Sequence, residues 1–251
     1  MRLEERRIVK VVAVLGALAA IGAAAFPFAI YFFGLALAPP RPVAETTSAP
    51  AVLRDALWAR VDGGRATHLR PINPITMAQL FLCLVETPGA NDNERMRECR
   101  DVMPGFSGVE YIAKLHIEDH GVVRNSFRGG HSHFATTVWM TRSWSKDDFL
   151  NALAARGQYG FGWRGVTVAA SRYFTKQPSA LTLSETAYIA SRLGEIGDDP
   201  WCHPKTAVAM RDELLARMRD NGTISDEDFR RASSVPLEFA RPIEDRPPCS
   251  K

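Results

Sequence analysis

A mostly helical protein with one membrane-crossing helix at its N-terminus is what the sequence predicts, on three observations. Val11 to Ala38 carries no charged residue, and about 20 apolar residues suffice to cross a bilayer as a helix. Further along, several segments pair a helix-capping residue with apolar positions at helical spacing. No alternating apolar–polar run long enough for a strand, and no internal repeat, occurs in the 251 residues.

The elements follow in order. Arg2, Arg6, Arg7 and Lys10 precede the apolar stretch, and only Arg41 follows it closely. The positive-inside rule then places residues 1–10 in the cytoplasm and the main domain across the inner membrane, in the periplasm. Pro27 lies within the stretch, where a membrane span tolerates it. A cleaved signal peptide is the competing reading, since Ala36-Leu37-Ala38 has the small-x-small form of a cleavage site. The stretch is about twice the usual apolar region of 7–15 residues, and Pro39 sits where cleavage would occur, so 11–38 reads as an uncleaved anchor. Residues 39–51 (PPRPVAETTSAPA) are rich in Pro, Thr and Ala and read as a linker. A domain of residues 52–237 follows.

Within it, Asn73 and Pro74 open NPITMAQLFLCLVE (73–86) as N-cap and first helical residue. Its nearly all-round apolarity marks a buried helix. Residues 87–94 (TPGANDNE) read as a polar loop, and Val109–His116 and Asp147–Ala155 as helices. AASRYF ends a helix and KQPSA turns. Thr182 with Glu185 three residues on forms a capping box that starts LSETAYIASRL. Pro204 to Asp220 is a helix with Val208, Leu214, Leu215 and Met218 on one side, stopped by Asn221-Gly222. Ser225 caps a short last helix, and residues 238–251 form a Pro-rich tail.

Lys and Arg total 31 against 28 Asp and Glu, a net charge of +3. The basic residues are scattered, without interleaved aromatics, so nucleic acid is not an expected partner. Cys83, Cys99, Cys202 and Cys249 would meet an oxidising compartment if exported. Three connectivities are open. Cys83–Cys99 with Cys202–Cys249 is preferred because the second would pin the tail, and four buried thiols are the alternative. No C-x-x-C pair is present, so cysteine-bound zinc is not expected.

Residues 145–193 read SKDDFLNALAARGQYGFGWRGVTVAASRYFTKQPSALTLSETAYIASRL. This resembles the glycosyltransferase domain of penicillin-binding proteins and monofunctional peptidoglycan transglycosylases. Lys146, Phe149 and Leu150 match the family's K-x-x-I-L element, and Gly160, Gly162 and Gly165 its Gly-rich loop. Ala169, Ala170, Tyr173, Phe174 and Lys176 match A-A-x-x-Y-F-G-K, and Leu181, Leu183, Glu185, Ala187 and Ala190 the helix after it. Residues 211–232 resemble the family's R-x-x-x-V-L-x-x-M ending. The resemblance implies a lysozyme-like helical fold behind one membrane anchor. It also implies polymerisation of a lipid-linked disaccharide-peptide precursor into glycan strands, beside other cell-wall synthesis proteins. Only the tail follows the last helix, so no C-terminal transpeptidase domain is expected.

Such chemistry needs a carboxylate to take the proton of an acceptor hydroxyl. It also needs cations, with or without a divalent metal ion, at the departing pyrophosphate; no other cofactor is implied. Glu86, ending the buried helix, and Glu118 in HIEDHG are the two candidate catalytic carboxylates. Glu86 is preferred because Glu118 leaves too few residues before Gly129-Gly130. The family's G-G-S-T-I-x-Q-Q appears as GGHSHFATT (129–137), keeping the glycines and Ser132 and losing both glutamines. The R-K-x-x-E segment is missing, and Tyr-Leu-Asn is replaced by Leu153-Ala154-Ala155. Gly129, Gly130, Ser132, Arg142, Lys146 and Arg164 are the candidate substrate contacts, with Arg128 a further cation. A degenerate family member that binds glycan or partner proteins without turnover is the alternative. A metal-dependent hydrolase built on His116, Glu118, Asp119, His120, His131 and His133 is a third reading. It lacks the H-E-x-x-H order, and HSH is expected in a loop.

Overall fold

The structure, a computed structural model, describes residues 3–61, 64–76, 104–195, 199–240 and 249. Among these it is helical, with no strand beyond an isolated bridge between Gln158 and Arg164. The helices are α1 (Leu3–Leu37), α2 (Ala51–Arg60), α3 (Phe106–Asp119), α4 (Phe127–Ser143) and α5 (Lys146–Arg156). They continue with α6 (Val166–Phe174), α7 (Leu183–Ser191), α8 (Pro204–Asp220) and α9 (Asp226–Ser234). Asn73 caps the start of a further helical turn, its Oδ1 accepting from the Thr76 amide at 2.8 Å. The remainder of the expected 73–86 helix, the 87–94 loop, Glu86, Cys83 and Cys99 lie outside the described residues.

The chain divides into two compact units. The first comprises Met1–Arg41, Pro71–Cys99 and Ile117–Arg142. In it, Lys10–Leu37 of α1 has a mean hydropathy of 2.2 and is long and apolar enough to cross a membrane. The far end of α1 lies on α4. A Cβ at Gly34 would collide with the His131 carbonyl and come within 2.8 Å of Ala135 Cβ, so glycine is what permits the close approach. The Phe33 ring lies 5.9 Å from Phe127 and 5.5 Å from His131. Arg128 Nε donates to the Leu37 carbonyl at 3.0 Å, satisfying one of the carbonyls a helix end leaves open.

One expectation is corrected here. HSH is not in a loop: GGHSHFATT lies wholly within α4. Ser126 caps that helix, its Oγ accepting from the Gly129 amide at 2.9 Å. The buried positions 129, 132, 135, 136 and 140 then recur at helical spacing. The paired glycines suggest a loop, but the cap and the apolar stripe beyond them outweigh the local cost of about 1 kcal/mol per glycine.

The second unit comprises Pro42–Arg70, Arg100–His116 and Ser143–Lys251. Its centre is α7, buried from Ser184 to Ser191 and packed on α2 and α8. Thr182 and Glu185 form the capping box that starts it, and Thr175 ends α6 in the left-handed conformation. Tyr173, Tyr188, Trp201 and Phe239 form an aromatic cluster, with centroids 5.0–6.3 Å apart along its contacts. The start of the tail completes that cluster. Ala240 donates its amide to Tyr173 O and accepts from Trp201 Nε1, both at 2.7 Å. Cys202 and Cys249 are joined in a disulfide. Fully buried Arg211 donates to Ser184 Oγ at 3.1 Å and to the Ser233 and Val235 carbonyls at 2.9 and 2.6 Å.

The segment expected as a linker is also held down. Arg156 donates to Glu45 at 2.5 Å and to the Val43 carbonyl at 3.3 Å. Asn151 Oδ1 accepts from the Ala49 amide at 3.0 Å.

Candidate functional site

In the first unit the candidate residues fall on α3 and α4. Glu118 is exposed in the last turn of α3. Gly129 is buried in the first turn of α4, where a Cβ would collide with the carbonyls of Val123 and Arg124. Gly130, one residue on, is exposed and has open space where its Cβ would stand. Ser132 is fully buried, and its Oγ has no hydrogen-bond partner among the described residues. Arg142 is exposed in the last turn. His131 places Nδ1 2.8 Å from the Phe127 carbonyl and its ring against Phe33. No three His, Cys, Asp or Glu side chains cluster as metal ligands among the described residues.

In the second unit, Lys146 lines a cleft of about 460 Å³. One wall is the Ala51–Arg54–Asp55 face of α2. The others are Thr67–Leu69 and the start of α5 from Trp144 to Asp147, with Leu150. Ser145 caps α5 through a reciprocal capping box with Asp148, which fixes the position of Lys146 on the next residue. The Lys146 ammonium stands 4.3 Å from the centroid of the Trp58 ring, a cation–π arrangement. Arg54 and Asp147 approach to 3.4 Å.

Asp55 is the residue the sequence reading did not single out. A lone aspartate in AVLRDALWAR has no motif around it, and only the fold brings it to Lys146. Burial raises its carboxyl above the usual aspartate range, while Lys146 and Arg54 pull it back. Burial likewise lowers the Lys146 ammonium, opposed by Asp55 and Asp147. Both shifts have the sign of desolvation acting on the charged form.

Arg164 is exposed on the glycine-rich turn 160–165. There Gly160, Phe161 and Gly162 all have positive φ, of 86°, 50° and 72°. At Gly160 a Cβ would collide with the Tyr173 hydroxyl. The glycine is thus required both by its backbone conformation and by the ring beneath it.

Comparison with known proteins bears on this arrangement. Residues 112–219 match the transglycosylase family model; the match takes in Glu118, Lys146 and Arg164. Penicillin-binding protein 1A of Rickettsia conorii is 30% identical over 99 residues, covering 39% of this chain and 12% of that protein. Penicillin-binding protein 1F of Bacillus subtilis is 33% identical over 87 residues, 34% of this chain and 12% of its own length. Penicillin-binding protein 1A of Aquifex aeolicus is 31% identical over 101 residues, with coverages of 40% and 14%. The crystal structure of penicillin-binding protein 1A from Haemophilus influenzae matches at 30% identity, over 40% of this chain and 15% of that one, with a TM-score of 0.37. The chain spans 12–14% of the length of these curated relatives. Residues 112–219 thus match the transglycosylase family model, and the described residues there are mostly helical. That segment resembles the glycosyltransferase domain of penicillin-binding proteins.

Proposed function

We propose that this protein is a membrane-anchored, peptidoglycan glycosyltransferase-like protein that acts on lipid-linked cell-wall precursor. The observation that carries the proposal is the transglycosylase match over residues 112–219. A helix able to cross a membrane, at the N-terminus of the same chain, supports it. In this reading α1 is a single pass through the inner membrane with residues 1–10 in the cytoplasm. The remainder, in the periplasm, works beside other cell-wall synthesis proteins. Glu86, or Glu118 in its place, takes the proton from the acceptor sugar hydroxyl as that oxygen attacks the anomeric carbon. The lipid pyrophosphate leaves, its charge met by a cationic side chain such as Arg142. Among the described residues no three His, Cys, Asp or Glu side chains group as ligands for a divalent cation at the pyrophosphate.

A specific observation favours the second reading, a catalytically degenerate relative that binds glycan or a partner. Gly129 and Ser132, which match a substrate-facing motif by sequence, are buried within α4. There they serve helix packing. Loss of one preorganised polar group commonly costs about 10²–10³ in rate, and this chain lacks several.

The test is polymerisation of lipid-linked precursor by the purified full chain. Turnover that Glu86→Gln reduces by about 10² or more supports the enzyme with Glu86 as base. Loss on Glu118→Gln instead transfers the role to Glu118. Absence of turnover with retained glycan binding favours the degenerate reading.

A further inference from the structure

The cleft of the second unit holds two opposite charges that attract one another without meeting in an ion pair among the described residues. Asp55 makes no hydrogen bond and no ion pair among the described residues, although Lys146 lines the same cleft. Among the described residues the Lys146 ammonium, with three donors, makes no hydrogen bond and stands over the face of Trp58. The other pair at the rim, Arg54 and Asp147, satisfies itself at 3.4 Å. Leu69, Trp144 and Leu150 supply a largely buried apolar floor. At about 460 Å³ the cleft falls within the range of about 300–1,000 Å³ typical of small-molecule sites.

The charge pattern selects the ligand. A simple anion would pair with Lys146 and meet repulsion from Asp55 and Asp147. A simple cation would pair with Asp55 and meet Lys146 and Arg54. A neutral polyol could fill the hydrogen bonds but offers neither group a charge-assisted one with an opposite charge. A ligand carrying both signs compensates the two groups together and adds charge-assisted hydrogen bonds at each. We propose that this cleft binds an amino-carboxylate zwitterion, its ammonium at Asp55 and its carboxylate at Lys146. Alkyl portions of the ligand lie on Leu69, Trp144 and Leu150. A free amino acid and a peptide with both ends free share this chemistry. The proposal is independent of whether the chain catalyses glycosyl transfer.

The test is calorimetric titration of the full chain in detergent with alanine, alanyl-alanine, N-acetyl-alanyl-alanine, alanyl-alanine amide, inorganic pyrophosphate and a neutral disaccharide. Saturable binding of alanine or of alanyl-alanine is expected, and whichever binds more tightly identifies the source. Each blocked peptide should bind about tenfold or more weaker, the effect of losing one charge-assisted contact. Asp55→Asn should weaken the zwitterion and, by removing a like charge, leave the N-acetyl peptide as tight or tighter. Lys146→Met, which keeps an apolar stem on Trp58, should weaken the zwitterion and, by removing a like charge, leave the amide as tight or tighter. Tighter binding of the N-acetyl peptide, pyrophosphate or the disaccharide would overturn the proposal, as would zwitterion binding insensitive to Asp55→Asn. Absence of saturable binding to all the probes would also overturn it. Should Lys146→Met not fold, Asp55→Asn, an isosteric change on an exposed helix face, decides the matter alone.

Discussion

Glu185 shows how much one side chain carries. It is 8% exposed, accepts from the Lys176 ammonium at 2.7 and 2.9 Å and from the Thr182 amide at 2.8 Å. It therefore joins the end of α6 to the start of α7. Glu185→Ala removes the cap and leaves Lys176 without its carboxylate, at a cost of about 1–3 kcal/mol. Denaturant unfolding of the variant checks this. Asp228 at the start of α9 supplies the pH dependence. The Ser225 hydroxyl, hydrogen-bonded to its carboxylate, holds Asp228 below the ordinary 3.8, with Arg231 assisting. The folded state thus prefers the ionised form, so the contribution is fully present above 3.8 and is lost as pH falls through the lower folded value. Asp228→Asn should lower the thermal midpoint at neutral pH, and the gap from the parent protein should close on acidification below 3.8.

At the scale of elements, α4 is where local signals and packing diverge. Two adjacent glycines in its first turn look interchangeable in sequence and are not. Gly129→Ala would drive a Cβ into the carbonyls of Val123 and Arg124, so the helix entry must shift. A loss of about 1–3 kcal/mol is expected, as for other overpacking changes. Gly130→Ala meets nothing and gains helix propensity, a stabilisation of up to about 1 kcal/mol. Thermal melts of the two variants should move in opposite directions. The same pair shows what sequence could and could not reveal. Gly-Gly with a nearby serine pointed to a substrate loop. The Ser126 cap and the stripe through Ser132 and Thr136 were equally present in the chain, but glycine's loop preference obscured them. By contrast α7, α8 and α9 were legible in advance, since Thr182, Pro204 and Ser225 each mark a start within a turn of the residues they affect.

At the scale of the whole molecule, the second unit is closed by its own C-terminal stretch. Phe239 enters the aromatic cluster and Ala240 bonds to Tyr173 and Trp201. The Cys202–Cys249 disulfide, across a separation of 47 residues, restricts the unfolded chain around that contact. Replacing both cysteines by serine should cost about 2–4 kcal/mol, measurable as a lower denaturant midpoint, with a slope that rises as the unfolded chain loses its crosslink. A smaller slope would instead mean that the variant's folded state had loosened.

The amino-acid order alone settled what depends on near neighbours. An uncharged run from Val11 to Ala38 makes α1 long and apolar enough to span a membrane, and the capping box at Thr182 and Glu185 starts α7 wherever that helix is packed. It also carried the family likeness, because the glycines, aromatics and lysine of residues 146–190 keep their spacing. What depends on distant neighbours was decided only by the fold. Burial of Ser132 and docking of residues 43–49 along α5 follow from packing. The meeting of Asp55 with Lys146, 91 positions apart in the chain, has no trace in either local segment. Caps and helical periodicity act within about four residues. A cleft, and the desolvation of charges within it, exists only when separate helices are brought together.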